Sequence, residues 1–205
     1  MLPAAHLPID DMQATPEWPT GNWAQVCRKL FASPHQALAL FENSGLTPGI
    51  LTSMQNPVRS GEPYGRRVLF SSRDYEVMLA SWREGAECAP HNHGFSRGFV
   101  WLVEGTFLEN QYTFENGQLH LIQTKLHGSA STIVPVDEPD IHSMRVPHGG
   151  LSLHIYCPPI HRMKVYDPEK FRTLVVSDDC GAWIPANQKL IVDVRSWSKL
   201  RRTTT

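Results

Sequence analysis

The chain has 205 residues and a formal charge of -1, from 19 Lys and Arg against 20 Asp and Glu. That length suits one globular domain able to hide roughly 70% of the surface its unfolded chain exposes, and the balanced charge gives no field to hold a nucleic acid or an anionic bilayer. Apolar runs such as Phe99–Val103 fall far short of the ~20 residues needed to cross hydrocarbon, and Met1–Asp10 has neither a basic start nor a continuous apolar stretch, so the expected setting is the cytoplasm.

Residues 1–20 are rich in proline without apolar periodicity and read as an extended arm; residues 21–205 read as a single domain. Trp23, Val26, Cys27, Leu30 and Phe31 fall on one helical face, which predicts a first helix. Ser33-Pro34 opens a second, with Ala37, Leu38 and Phe41 as its stripe and Gly45 at its end, and Thr47-Pro48 can open a third. Helices therefore occupy about 22–60. Beyond Arg66 the pattern changes to short period-two runs broken by Gly, Pro and Asn: Tyr75–Arg83, Phe99–Glu104, Phe107–Phe114, Leu119–Leu126, Thr132–Val136, Leu151–Tyr156 and Thr173–Ser177, with Asn116-Gly117 as a hairpin turn. Seven such strands without helical crossovers predict a mainly β fold, a sandwich or jelly-roll barrel over about 66–178, with 179–205 as a C-terminal extension.

The four cysteines, Cys27, Cys88, Cys157 and Cys180, show no metal-knuckle or redox spacing and are expected to be reduced and mostly buried. Chemistry is carried instead by histidine. His91 and His93 lie two apart, so in extended backbone both imidazoles face the same way and can share one metal.

The spacing Gly85-x5-His91-x-His93-x4-Gly98-x6-Gly105 resembles the first motif of the cupin superfamily, and Pro139-Asp140-Ile141-His142 resembles the second. The resemblance implies a cupin-type jelly-roll β-barrel with two or three N-terminal helices, and makes His142 the third ligand beside His91 and His93. Cupins place Glu where Gly98 stands. Three neutral imidazoles without that carboxylate leave a divalent metal its full charge, which suits an anionic substrate such as a thiolate.

From Tyr64 to Asp167 the chain is similar to the cysteine dioxygenase family, the iron-dependent thiol dioxygenases of that superfamily. Ser152-Leu153-His154-Ile155-Tyr156-Cys157-Pro158-Pro159 is similar to the family's S-L-H-x-Y-x-P-P strand; alternation places Ser152, His154 and Tyr156 on one face. The resemblance implies a hydrogen-bond relay ending at the Tyr156 hydroxyl, beside the metal. Tyr64-Gly65-Arg66 resembles the family's Y-x-R, which implies that Tyr64 and Arg66 hold a substrate carboxylate; Arg67 is the alternative, because a one-residue slip exchanges faces. Many animal members carry at Gly98 a cysteine that is cross-linked to the tyrosine, so the resemblance is to the bacterial type, with Tyr156 a free phenol. Cys157, on the opposite face, reads as packing. His6, His35, His120, His127, His148 and His161 read as solvent-facing, with His148 a distant substitute ligand.

The resemblance thus implies an Fe(II) enzyme that oxidises L-cysteine, a small thiol, with O2 to cysteine sulfinic acid; a monomer is the default expectation, since nothing in the sequence points to an oligomer. One alternative keeps the reaction but takes 3-mercaptopropionate or another small mercapto acid. Another is a non-enzymatic cupin that binds metal and a small ligand without turnover.

Overall fold

A computed structural model describes residues 23–128, 132–137 and 140–197. The arm read at 1–20, His6, Pro139 and the tail from Ser198 lie outside the described residues. Three helices lead: α1 (Trp23–Ala32), α2 (Ala37–Asn43) and α3 (Pro48–Ser53). The Ser33-Pro34 start is realised as a single 3-10 turn, Pro34–Gln36, before α2, and Ser33 makes no capping bond. Thr47 does cap α3, its Oγ1 accepting from the Ile50 N–H at 3.3 Å.

Ten strands follow among the described residues: β1 (Tyr64–Ser71), β2 (Glu76–Glu87), β3 (Arg97–Gly105), β4 (Phe107–Glu115), β5 (Gln118–His127), β6 (Thr132–Val136), β7 (Ile141–Cys157), β8 (Lys164–Asp167), β9 (Arg172–Val176) and β10 (Ile191–Ser196). All their pairings are antiparallel. One sheet runs β1-β2-β7-β3-β6, with β4 and β5 attached through β7, and a second runs β10-β9-β8. His91 bridges the two, pairing with His142 on one side and Val165 on the other. The result is the cupin-type β-barrel with N-terminal helices.

Strand β7 organises the barrel. Along one edge it pairs with β2; along the other it pairs first with β4 over 141–145 and then with β3 over 150–157. The change of partner falls at Gly149-Gly150, where Gly149 has φ of 75° and a Cβ on Gly150 would press on the Glu104 carbonyl. The two glycines after His148, which in sequence suggest a turn, make a kink inside one continuous strand of 17 residues. A left-handed glycine serves a kink as readily as a turn, so the two look alike in sequence.

Alternation divides the apolar residues into two cores. Inward residues of β2 and β3, among them Met78, Ala80, Trp82, Val100 and Leu102, line the barrel with Val146, Leu174 and Phe107. Outward residues Val77, Leu79, Trp101, Leu151, Leu153 and Ile155 form a surface on which the helices lay Trp23, Cys27, Leu30, Phe41 and Leu51. Phe41 stacks on Trp101 with ring centroids 5.0 Å apart. Because the helices cover the back of the sheet that carries β7, that strand is packed on both faces and its inward side chains are held to one geometry.

Candidate metal centre and cavity

The histidine pair lies on the segment between β2 and β3. Asn92, between the two, anchors it to β8: its Oδ1 accepts N–H bonds from Gly94 at 3.2 Å and Lys164 at 3.1 Å. His91 and His142 exchange both backbone hydrogen bonds at 2.9 Å. This two-bond bridge sets the second motif against the first. The three rings of His91, His93 and His142 have centroids 4.7–4.9 Å apart. One nitrogen from each lies within 4.8 Å of the others, and all three residues are buried.

For His91 and His142 the free nitrogen follows from the neighbours. The His91 Nδ1 sits 2.9 Å from the Ala89 carbonyl, which can only accept, so Nδ1 carries the proton and the Nε2 lone pair is left for a metal. His142 Nδ1–H donates to Glu109 Oε1 at 2.9 Å, with the same consequence. The His93 Nδ1 is buried with no hydrogen-bond partner. Burial, and after it the neighbouring His142, pushes the His91 imidazole down to about 3; the same two causes, with His91 third, lower His93 well below its ordinary value. Neutral rings with converging lone pairs are the donor set a divalent metal requires, so the residues present fit one. Cys88 lies near His91 but is not part of this group; burial raises its thiol to about 12, leaving it protonated at neutral pH.

Ser152, His154 and Tyr156 do share the inward face of β7 and form one hydrogen-bonded chain. The Trp82 indole N–H donates to Ser152 Oγ at 2.8 Å. Ser152 Oγ and His154 Nε2 stand 2.8 Å apart. His154 Nδ1 stands 2.9 Å from the Tyr156 hydroxyl, and the neutral ring donates at one nitrogen and accepts at the other. Tyr156 ends the chain. Its ring stacks on His93 with centroids 5.4 Å apart, and burial first, then Tyr64 and Glu76, holds the phenol well above its usual pKa. It is a neutral donor on the metal side of the cavity. Trp82 of β2 thus anchors the head of the relay.

Alternation on β1 separates the two arginines. Arg66 borders the cavity, whereas Arg67 turns to the helices, where its Nη1 donates to the Met54 carbonyl at 2.9 Å. Arg66 is not a free guanidinium: Nη2 pairs with Glu76 Oε1 at 3.2 Å and Nε–H points at the Met78 sulfur at 3.0 Å. Tyr64 lines the same cavity. Its hydroxyl accepts from the Ala182 N–H at 2.8 Å and keeps its own proton to donate. The cavity holds about 50 Å³, room on the order of four waters, which suits a ligand the size of a small amino acid rather than a peptide.

Sequence reasoning missed three residues here. Glu76 lies inside the run Tyr75–Arg83 but belongs to no motif, and Glu109 and His127 are 33 and 15 residues from His142 along the chain. His127, expected in solvent, instead donates from Nε2 to Glu109 Oε2 at 2.9 Å. Burial alone would raise the Glu109 carboxyl, but hydrogen bonds from His142 and His127 outweigh it and leave it at about 2. His35, His120, His148 and His161 are exposed, and His148 takes no part in the metal group. The cysteines are all free thiols; Cys27, Cys88 and Cys180 are buried and Cys157 is half-buried.

The profile of the cysteine dioxygenase type I family matches residues 62–169, just over half of the chain. The chain belongs to that family. Among solved structures it is similar to an uncharacterised conserved protein with a double-stranded β-helix domain from Klebsiella pneumoniae, at 17% identity and TM-score 0.42, over 57% of this chain and 94% of that one. It is similar also to an RmlC-like cupin from Shewanella frigidimarina, at 21% identity and TM-score 0.39, over 51% and 84%. A third is the oxalate decarboxylase of Lactobacillus farciminis in a formate complex, at 12% identity and TM-score 0.44, over 56% and 34%. The matched segment of this cupin-type thiol dioxygenase contains all three histidines, the relay, Tyr64 and Arg66.

One departure from the cross-linked family members has a steric cause. A Cβ on Gly98 would run into the Ile155 carbonyl oxygen of the adjacent β7 and come within 3.0 Å of the Tyr156 ring. Neither the cupin glutamate nor a cross-linking cysteine fits without moving β7. Gly98→Cys is expected to destabilise the fold by about 1–3 kcal/mol, seen as a lowered midpoint in denaturant without a change in slope; an unchanged midpoint would contradict this packing.

Proposed function

We propose that the protein is an iron-dependent thiol dioxygenase that converts L-cysteine and O2 to cysteine sulfinic acid. The observation that carries the reading is the meeting, in one small cavity, of three convergent imidazole nitrogens, the Tyr156 hydroxyl and the Arg66 guanidinium. His91, His93 and His142 would hold Fe(II), which supplies a cation that deprotonates a thiol and a redox partner for dioxygen. The reaction balances without a further reductant: the sulfur loses four electrons, O2 gains them, and both oxygen atoms end on sulfur.

The chain's own groups do the rest. The Arg66 fork and the Tyr64 O–H take the substrate carboxylate, which fixes the thiol's reach into the cavity. Tyr156, held by its hydrogen bond to His154, presents its hydroxyl to the sulfur or to oxygen beside it. The barrel lining of Val100, Leu102, Phe107 and Val134 excludes water.

Glu76 favours cysteine over an amine-free mercapto acid. It offsets the Arg66 charge, and a balanced Arg–Glu pair matches a zwitterion better than a lone carboxylate. The relay argues against a passive metal-binding cupin, because a pocket without turnover has no need of a phenol oriented by three further residues. Oxygen uptake by the iron-loaded protein should depend on both iron and L-cysteine; absence of uptake at full iron occupancy would overturn the proposal. Arg66→Ala should raise KM for L-cysteine at least tenfold through loss of a charge-assisted bond worth about 1.5–3 kcal/mol. An unchanged KM would remove Arg66 from the carboxylate site. The protein is further proposed to act as a cytoplasmic monomer; no helix among the described residues is long and apolar enough to cross a membrane.

A further inference from the structure

We propose that Glu109 is a positioning residue of the metal centre: it fixes His142 as the Nδ1–H tautomer, is itself pinned by His127, and supplies from behind the ring the negative charge that three imidazoles lack. The inference rests on reading the three histidines as a metal centre and is independent of which thiol is oxidised.

Glu109 stands on β4, in register with Met144 of β7 on one side and Lys125 of β5 on the other. Its side chain points into the barrel and the residue is only 3% exposed. Both oxygens are engaged at 2.9 Å, Oε1 by His142 and Oε2 by His127. A carboxylate can only accept, so both imidazoles donate, and the His142 Nε2 lone pair is committed toward His91 and His93. Clamping from two sides removes the freedom of Glu109 to rotate away, so the ring plane of His142 is set by a rigid bridge from β5 through β4 to β7.

The charge argument is separate. Taking a carboxylate out of water is costly, and an apolar side chain here would pack the barrel at least as well. The usual cupin carboxylate position is closed, because the β7 backbone occupies the space a side chain on Gly98 would need. A negative charge can still reach the centre through the far nitrogen of a ligand. Glu109 does this: its hydrogen bond raises the basicity of the His142 ring while leaving the substrate side of the cavity free.

A merely structural role, tying β4, β5 and β7 together, would lower thermal stability without altering metal binding. The test is therefore zinc affinity of the metal-stripped full chain, measured in competition with a chromophoric chelator, for wild type, Glu109→Ala, Glu109→Gln and His127→Leu. Glu109→Ala should weaken zinc binding about 10–100-fold. Glu109→Gln should recover part of that loss, since its amide oxygen still accepts from Nδ1–H but carries no charge, and His127→Leu should lose affinity in the same direction by a smaller factor. In the zinc-loaded protein the His142 Nδ1–H proton should resonate downfield, move in Glu109→Gln and vanish in Glu109→Ala. If Glu109→Ala does not fold, the other two variants decide. Zinc affinity within twofold of wild type in the folded variants, or an unmoved His142 proton, overturns the proposal. A wild-type protein that takes up no zinc refutes the metal centre itself, and with it this role; failure of thiol oxidation alone leaves the zinc test standing.

Discussion

His142→Ala is expected to abolish thiol oxidation and to weaken metal binding by more than the ~10–100-fold that losing an outer hydrogen bond to a ligand costs. The other two imidazoles sit on the same short segment and cannot enclose a cation without the third, which arrives from β7. The loss also takes from buried Glu109 the donor that His142 supplies, a cost of about 1–3 kcal/mol. Metal-stripped His142→Ala should therefore melt several degrees below metal-stripped wild type, while added iron should raise the midpoint of wild type and leave the variant unmoved. Metal analysis after desalting, with melts in the presence and absence of iron, checks both halves. Retention of one iron per chain by the variant would show that the metal is held elsewhere.

Tyr156→Phe is expected to lower kcat by about 10²–10³ with a smaller change in KM, the pattern for a donor aimed at charge that develops during reaction. The phenyl ring keeps the stack on His93 and the packing of the β7 face, so the fold should survive. What disappears is the hydroxyl, and with it the hydrogen-bond partner of His154 Nδ1. Ser152→Ala should act in the same direction by a smaller factor: with its hydroxyl gone, neither the Trp82 N–H nor His154 Nε2 keeps its partner. Iron content of Tyr156→Phe should equal that of wild type. A kcat within threefold of wild type would remove Tyr156 from the chemistry.

Much of this site was legible because it depends on the shortest-range rule of a β-strand. His91 and His93 face one way because they are two apart, and Ser152, His154 and Tyr156 align for the same reason. The division between Arg66 and Arg67 depends on that period too, but its phase was not readable, and packing of Arg67 against α3 fixes it. The helical stripe at Trp23, Cys27 and Leu30 was readable because α1 lies against a sheet and buries one side only.

What escaped is what register controls. Glu109 meets His142 because β4 pairs with the first five residues of β7, and it meets His127 because the β4–β5 hairpin pairs Phe107 with His127. Nothing local to any of the three residues announces those pairings. The Gly149-Gly150 kink hid the continuity of β7, so its first half was not read as strand. β8 and β10 were not read as strands either: β8 has only four residues, and β10 lies in the stretch read as a C-terminal extension, where its pairing with β9 has no local signal.

The account turns on dioxygen reaching a thiol held among these imidazoles. Incubation of the iron-loaded protein with L-cysteine under oxygen-18 gas, followed by mass spectrometry of the product, tests it most directly. Cysteine sulfinic acid carrying two labelled oxygens is the expected product. Formation of cystine alone, or of a sulfinate whose oxygen comes from water, would contradict it.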